Sequence, residues 1–144
     1  MLAGQLALLD ATLFTGGALW VTAIEHPTIM KLDDKNLLQA FHRMYPPAAK
    51  LQSLYVLTGT AFGAYQYFQS KEPLWLVGSG LLFLVAPYTF LALIPTNNKL
   101  IDTPVEKGGV ETRRLIENWG CLHSVRTILG ALSTATFLYA VLKH

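Results

Sequence analysis

Apolar positions along the chain fall into four long runs separated by short polar clusters. The first spans roughly Leu2 to Ile24 and stops at Glu25-His26-Pro27. The second covers Leu51 to Ser70, entered after Pro46-Pro47 and closed by Lys71-Glu72-Pro73. The third covers Leu74 to Ile94, with Pro87 as an expected kink. The fourth opens near Val110, ahead of the apolar boundary, and continues to Leu142. Each meets the need for about 20 mostly apolar residues in a membrane-crossing helix. The fourth is roughly 48 Å long as a helix, so its first turns project into water or the interface. The pattern predicts an all-α, four-helix transmembrane bundle of up-down topology, with residues 1–144 forming one domain.

The connections differ in kind. Spans two and three are joined by a tight turn and so are antiparallel neighbours. Between spans one and two, Asp33 and Asp34 can cap a short helix whose apolar residues are Leu37, Leu38, Phe41, Met44 and Tyr45. This is expected to lie on the membrane as an interfacial helix. Between spans three and four, Pro95 to Gly109 is expected to be a loop, with Pro95, Pro104 and Gly108-Gly109 as breakers. Lys31, Lys35, Arg43 and Lys50 lie in the first long connection, and Lys99, Lys107, Arg113 and Arg114 in or just after the third. The opposite face has Lys71 and Lys143. The excess of positive charge places both long connections in the cytoplasm and both termini on the far side.

Composition supports a membrane protein. The chain is 52% hydrophobic and 14% charged, against roughly 25% charged in a soluble domain. A net charge of +2, without a basic cluster, gives no reason to expect a nucleic-acid partner. The single cysteine, Cys121, allows no internal disulfide and no cysteine metal cage, and is expected to be a small buried hydrophobe. The N-terminal run lacks a positive leader and carries Asp10, so it is read as a retained first helix. Gly59-x-x-x-Gly63 on span two permits close helix contact, expected within the bundle.

Candidate chemistry gathers at one end. Trp119, His123 and Arg126 are spaced by four and three, one stripe on a helix. Ionisable groups inside a membrane are costly unless they face protein or water, which makes the stripe a site hypothesis. Arg126 lies roughly 10 Å deeper than Trp119. His26 ends span one, Asn97 and Asn98 follow span three, and Gln52 and Tyr55 begin span two, so all can surround one pocket mouth. Glu25 is the expected partner of Arg126. Asp10, roughly 24 Å along its helix from His26, is not. His42 is expected to face headgroups. The P-loop, G-x-G-x-x-G and H-E-x-x-H motifs are absent. His26, His42 and His123, with Glu25, leave a metal or bis-histidine haem open, though none of the histidines are at helical pair spacing.

Pro95-Thr-Asn-Asn98-Lys-Leu100, followed by Trp119-x-x-x-His123-x-x-Arg126, resembles the DUF1772 family of small four-span membrane proteins. Glu25-His26-Pro27 fits the same pattern, and the likeness covers nearly the whole chain. That family includes the anthrone oxygenases of polyketide pathways, which oxidise an anthrone to an anthraquinone without an evident metal or flavin. The resemblance implies His26, Asn97, Asn98, Trp119, His123 and Arg126 as site positions. It implies O2 as co-substrate and an apolar aromatic substrate drawn from the lipid bilayer. His123 is then the expected base, Arg126 and the asparagine amides stabilise the enolate and a later peroxide, and Trp119 and Tyr55 stack on the rings. Two other readings share the fold: a histidine-ligated metal or haem enzyme, and a non-catalytic protein that binds lipid or a partner.

Overall fold

The computed structural model describes residues 1–143. It is a four-helix bundle, without β-strand among those residues. The helices are α1 (Leu2–Ile29), α2 (Asp34–Ser70), α3 (Pro73–Asp102) and α4 (Val110–Leu142). Each packs on the next in sequence and α4 closes back on α1. Cross-helix contacts give the directions. Gly4 of α1 donates to Gln66 Oε1 near the end of α2, and Thr15 and Thr22 of α1 bond Thr134 and Thr127 of α4, so both pairs run antiparallel. Lys71, at φ 59, makes the tight turn between α2 and α3. The up-down topology is thus as the hydrophobic pattern implies.

Three helices, α1, α3 and α4, are long and apolar enough to cross a bilayer. The second is long enough but less apolar, and it packs antiparallel against α1 and α3. Lipid offers no hydrophobic drive between helices, so close contact depends on small residues and hydrogen bonds. Phe137 fills the space over Gly63 and Gly78, Phe14 the space over Gly130, and Ser133 donates to the Gly78 carbonyl at 2.8 Å. Gly59 meets α1 at Asp10 and Ala11, so the Gly59/Gly63 pair serves internal packing as expected.

The structure departs from the sequence expectations mainly at the end bearing the long connections. The short helix before span two is not separate. It forms the first turns of α2, which runs unbroken through Pro46-Pro47. Those prolines deprive the His42 and Arg43 carbonyls of their in-helix donors. The segment stays helical because Asp33 caps it, accepting from Asn36 N at 3.2 Å, and because Leu37, Leu38 and Phe41 are fully packed into the bundle. Asn97 and Asn98 are not in a loop either, since α3 continues to Asp102. His42 does not face headgroups alone: its Nε2–H donates to the Leu100 carbonyl at 2.7 Å, tying α2 to this extension. Arg113 of α4 pairs with Asp34 at 2.5 Å and also donates to the Met30 and Leu32 carbonyls, fixing the connection above α1.

Two π-helical turns interrupt the α-helical pattern, Val21–Glu25 in α1 and Thr89–Leu93 in α3. In each, the amide next beyond reaches five residues back, His26 to Val21 and Ile94 to Thr89. Pro27 and Pro95 follow immediately. A proline has no N–H to give, and its ring crowds the carbonyl four residues earlier; the wider turn relieves that crowding. One inserted residue turns the face beyond it by about 100°. On both helices that brings a polar side chain, His26 or Asn97, against α4.

Candidate functional site

Two apolar clusters fill the bundle. Ala7, Ala11, Phe14, Trp75, Leu82 and Phe137 form one near the tight-turn end. Leu37, Leu38, Phe41, Leu93, Leu100, Ile116 and Trp119 form the other near the long connections. Between them lies a polar layer. The α4 stripe is buried as its spacing implies, with Trp119, His123 and Arg126 at 3%, 2% and 7% exposure. Gln52 of α2 and Asn97 of α3 are buried beside it.

Each group in the layer is positioned by a neighbour. Trp119 Nε1 donates to Asn97 Oδ1 at 2.7 Å, and its indole stacks on the His123 ring, centroids 4.8 Å apart. Phe41 meets the same indole edge-on at 5.3 Å. Thr22 Oγ1 lies 3.3 Å from His123 Nδ1 and 2.9 Å from Thr127 Oγ1, a short hydrogen-bonded chain across α1 and α4. His26 donates from Nε2 to the Ile116 carbonyl at 2.8 Å and lies flat over Gly120, where any β-carbon would strike its ring. It packs against Trp119 with ring centroids 6.1 Å apart.

Arg126 has an unusual environment. Its Nη2 donates to Gln52 Oε1 at 2.9 Å, and Cζ stands 5.5 Å from the Phe14 ring, a cation–π distance. Its Nε is buried without a hydrogen bond. The ion pairs among the described residues are Arg113–Asp34 and Lys143–Glu72, and neither involves Arg126. The expected pairing with Glu25 is therefore absent. Glu25 lies half-buried on the π turn, whereas the guanidinium reaches Phe14, eleven residues back and roughly 16 Å along α1.

Two cavities meet at this arginine. The smaller, about 20 Å³, is bounded by Gln52, Trp119, His123 and Arg126 with Val21, Met44, Tyr45, Ala48 and Ala49. That is room for about one water-sized molecule. The larger is an apolar groove of about 270 Å³ between α2 and α3, lined by Ser53, Val56, Leu57, Val85, Ala86, Thr89, Phe90 and Ile94. Its volume is near the lower end of the range for small-molecule pockets, about 300–1,000 Å³. Tyr45, Ala49 and Arg126 border both cavities and form the wall between them.

The expected residues therefore divide. His123, Arg126, Trp119, Gln52 and Asn97 converge, with His26 behind Trp119. Asn98 does not join them: it is exposed on the outer face of α3, because a helix turns adjacent residues about 100° apart. Tyr55 is also elsewhere, packed against the other apolar cluster, one turn too deep on α2. Cys121 is exposed rather than buried, on the lipid side of α4 opposite the stripe. No three His, Cys, Asp or Glu side chains converge among the described residues. Sequence reasoning missed Thr22, Thr127, Tyr45 and Ala49. Tyr45, Ala49 and Gln52 follow helical spacing, a signal hidden by treating Pro46-Pro47 as a boundary.

The family described as anthrone oxygenase matches residues 40–136, a range holding every residue of the layer except those on α1. Over 137 aligned residues the chain is 31% identical to an anthrone oxygenase of Claviceps purpurea, covering 85% of this chain and 79% of that protein. Anthrone oxygenase tpcL of Aspergillus fumigatus is 26% identical over 152 residues, covering 96% and 92%. No solved structure matches the chain.

Proposed function

The chain belongs to the anthrone oxygenase family, and we propose that it oxidises the benzylic methylene of an anthrone-like phenol to a carbonyl with O2. The observation that carries this reading is Arg126, a buried cation without a carboxylate partner, shared between an apolar groove and the His123 cavity. An uncompensated cation in an apolar site stabilises an anion that appears during reaction.

An anthrone CH₂ is acidic because its anion is an aromatic enolate. His123 removes one proton, directly or through a single water in the small cavity, a distance over which general bases act. Its Nδ1 rests on the Thr22 hydroxyl, and Nε2 makes no hydrogen bond among the described residues. When Nδ1–H donates to Thr22 and Thr22 to Thr127, the Nε2 lone pair is the free base. Arg126 holds the enolate oxygen. The enolate passes one electron to O2, and the radical pair joins through a C–O bond to give a peroxide. Loss of the second benzylic proton breaks the O–O bond, leaving the ketone and water. The methylene supplies all four electrons that reduce O2, so this sequence uses no external reductant and no organic cofactor. Asn97 and His26 position Trp119, which holds the His123 ring by stacking.

Oxygen uptake by purified protein in nanodiscs with an anthrone tests this reading. Uptake should exceed spontaneous autoxidation and fall to that background in Arg126→Gln. Equal rates with and without protein contradict it. The lysine and arginine bias also leads us to place the long connections in the cytoplasm. Cysteines introduced at Lys35 and Lys107 should then be shielded from an impermeant reagent outside sealed vesicles.

A further inference from the structure

We propose that the substrate enters this site sideways from the bilayer, through the groove between α2 and α3, and that Ala49 sets how far its ring edge advances toward His123. The inference rests on the oxygenase reading for the identity of the occupant, a flat apolar phenol, and on the structure for the route.

The route from water is closed. Between the polar layer and the long connections lie Leu37, Leu38, Phe41, Leu93, Leu100 and Ile116, each at most 1% exposed. Arg113 and His42 lock the connections over this plug. The groove, by contrast, opens between two membrane-crossing helices. Leu57 and Phe90 line it and are 64% and 71% exposed, on surfaces that face lipid. An apolar ring system dissolved in the bilayer meets this opening without crossing a polar surface.

The floor of the groove fixes orientation. Arg126 is the charged group among its lining residues, so a phenolic or enolate oxygen is held at the inner end of the groove and the ring lies along the wall that Arg126 shares with Tyr45 and Ala49. Ser53 and Tyr45 add hydroxyls on the α2 side, and neither hydroxyl makes a hydrogen bond among the described residues. The groove does not itself touch His123; the wall of Tyr45, Ala49 and Arg126 intervenes. Ala49 is the smallest member of that wall. Its side chain ends at one methyl, and a larger one there thickens the wall and holds the ring edge further from His123.

The test uses two independent readouts on full-length protein in lipid vesicles. A thiol introduced by Ser53→Cys, in a Cys121→Ser background, is challenged with a lipophilic and a charged maleimide. The lipophilic reagent should react, the charged one should not, and a hydroxylated anthraquinone, which O2 leaves unchanged, should slow the reaction. Separately, Ala49→Leu should lower kcat/KM for an anthrone by at least about tenfold, the effect of added methylenes in a fitted pocket, without changing the melting temperature. Faster labelling by the charged reagent, or labelling that anthraquinone does not slow, overturns the entrance. Protection without turnover by any form of the protein leaves the entrance standing and removes the oxygenase reading. Turnover by the wild type with an unaffected Ala49→Leu variant and no protection does the reverse.

Discussion

Arg126 and Gln52 are joined by a 2.9 Å hydrogen bond from guanidinium to amide oxygen, a neutral acceptor where a buried cation ordinarily meets a carboxylate. The amide holds the guanidinium without cancelling its charge, which remains available to a ligand anion.

Two substitutions at Gln52 separate these effects. Gln52→Leu leaves a buried N–H unpaired and should lower stability by about 1–3 kcal/mol, read as a reduced melting temperature in detergent. Gln52→Glu keeps the contact and neutralises the cation. It should remain folded yet lose about 10²–10³-fold in kcat, the usual loss when one anion-stabilising group is removed. A fully active Gln52→Glu variant contradicts a role for the free charge.

His123 and Thr22 form a second testable pair. His123→Gln keeps hydrogen-bonding capacity without basicity and should cost about 10²–10⁴-fold in kcat. Thr22→Val keeps the shape of its side chain and removes the hydroxyl 3.3 Å from Nδ1. If the hydroxyl sets the tautomer, kcat falls, KM holds, and the pH profile of kcat shifts. An unchanged profile makes Thr22 a packing residue.

Much of this arrangement was readable from sequence, because the Trp119/His123/Arg126 stripe lies on one uninterrupted helix whose 3.6-residue period settles which side chains share a face. Two of the departures sit at prolines. Pro46-Pro47 and Pro95 signal helix ends in the sequence, yet tertiary packing of Leu37, Phe41 and Leu100 keeps both segments helical. Asn97 and Asn98 looked equivalent in a loop and lie on different faces of a helix. Thr22 was invisible, since a threonine in an apolar run gives no signal until its partner across the bundle is known.

That difference between the asparagines gives a direct comparison. Asn97→Leu leaves Trp119 Nε1 buried without its 2.7 Å acceptor and should destabilise by about 1–3 kcal/mol while reducing activity. Asn98→Ala, on the exposed face, should leave both unchanged. Comparable losses from the two place Asn98 back in the site.

Asp33 outside the membrane supplies a pH dependence. Hydrogen bonds from the Asn36 side chain and backbone hold its carboxyl below the ordinary value of 3.8. A lowered folded-state value means the contribution is present above about pH 3.8 and disappears as pH falls through the folded value. Acid should therefore loosen the start of α2 first, seen as faster amide exchange over residues 34–38. Asp33→Asn retains the cap without titrating and should flatten that response. The same acid response in Asp33→Asn assigns it to another group.

The central claim is that both the carbonyl oxygen and the electrons for O2 reduction are exchanged between O2 and the substrate methylene at this site. Turnover under ¹⁸O2 in unlabelled water measures this directly, with the quinone analysed by mass before its oxygens exchange. The account predicts one ¹⁸O atom in the new carbonyl, one in water, one O2 consumed per quinone formed, and a rate that His123→Gln brings to the protein-free background. Quinone oxygen derived from solvent, or enzymatic rates equal to autoxidation, would contradict it.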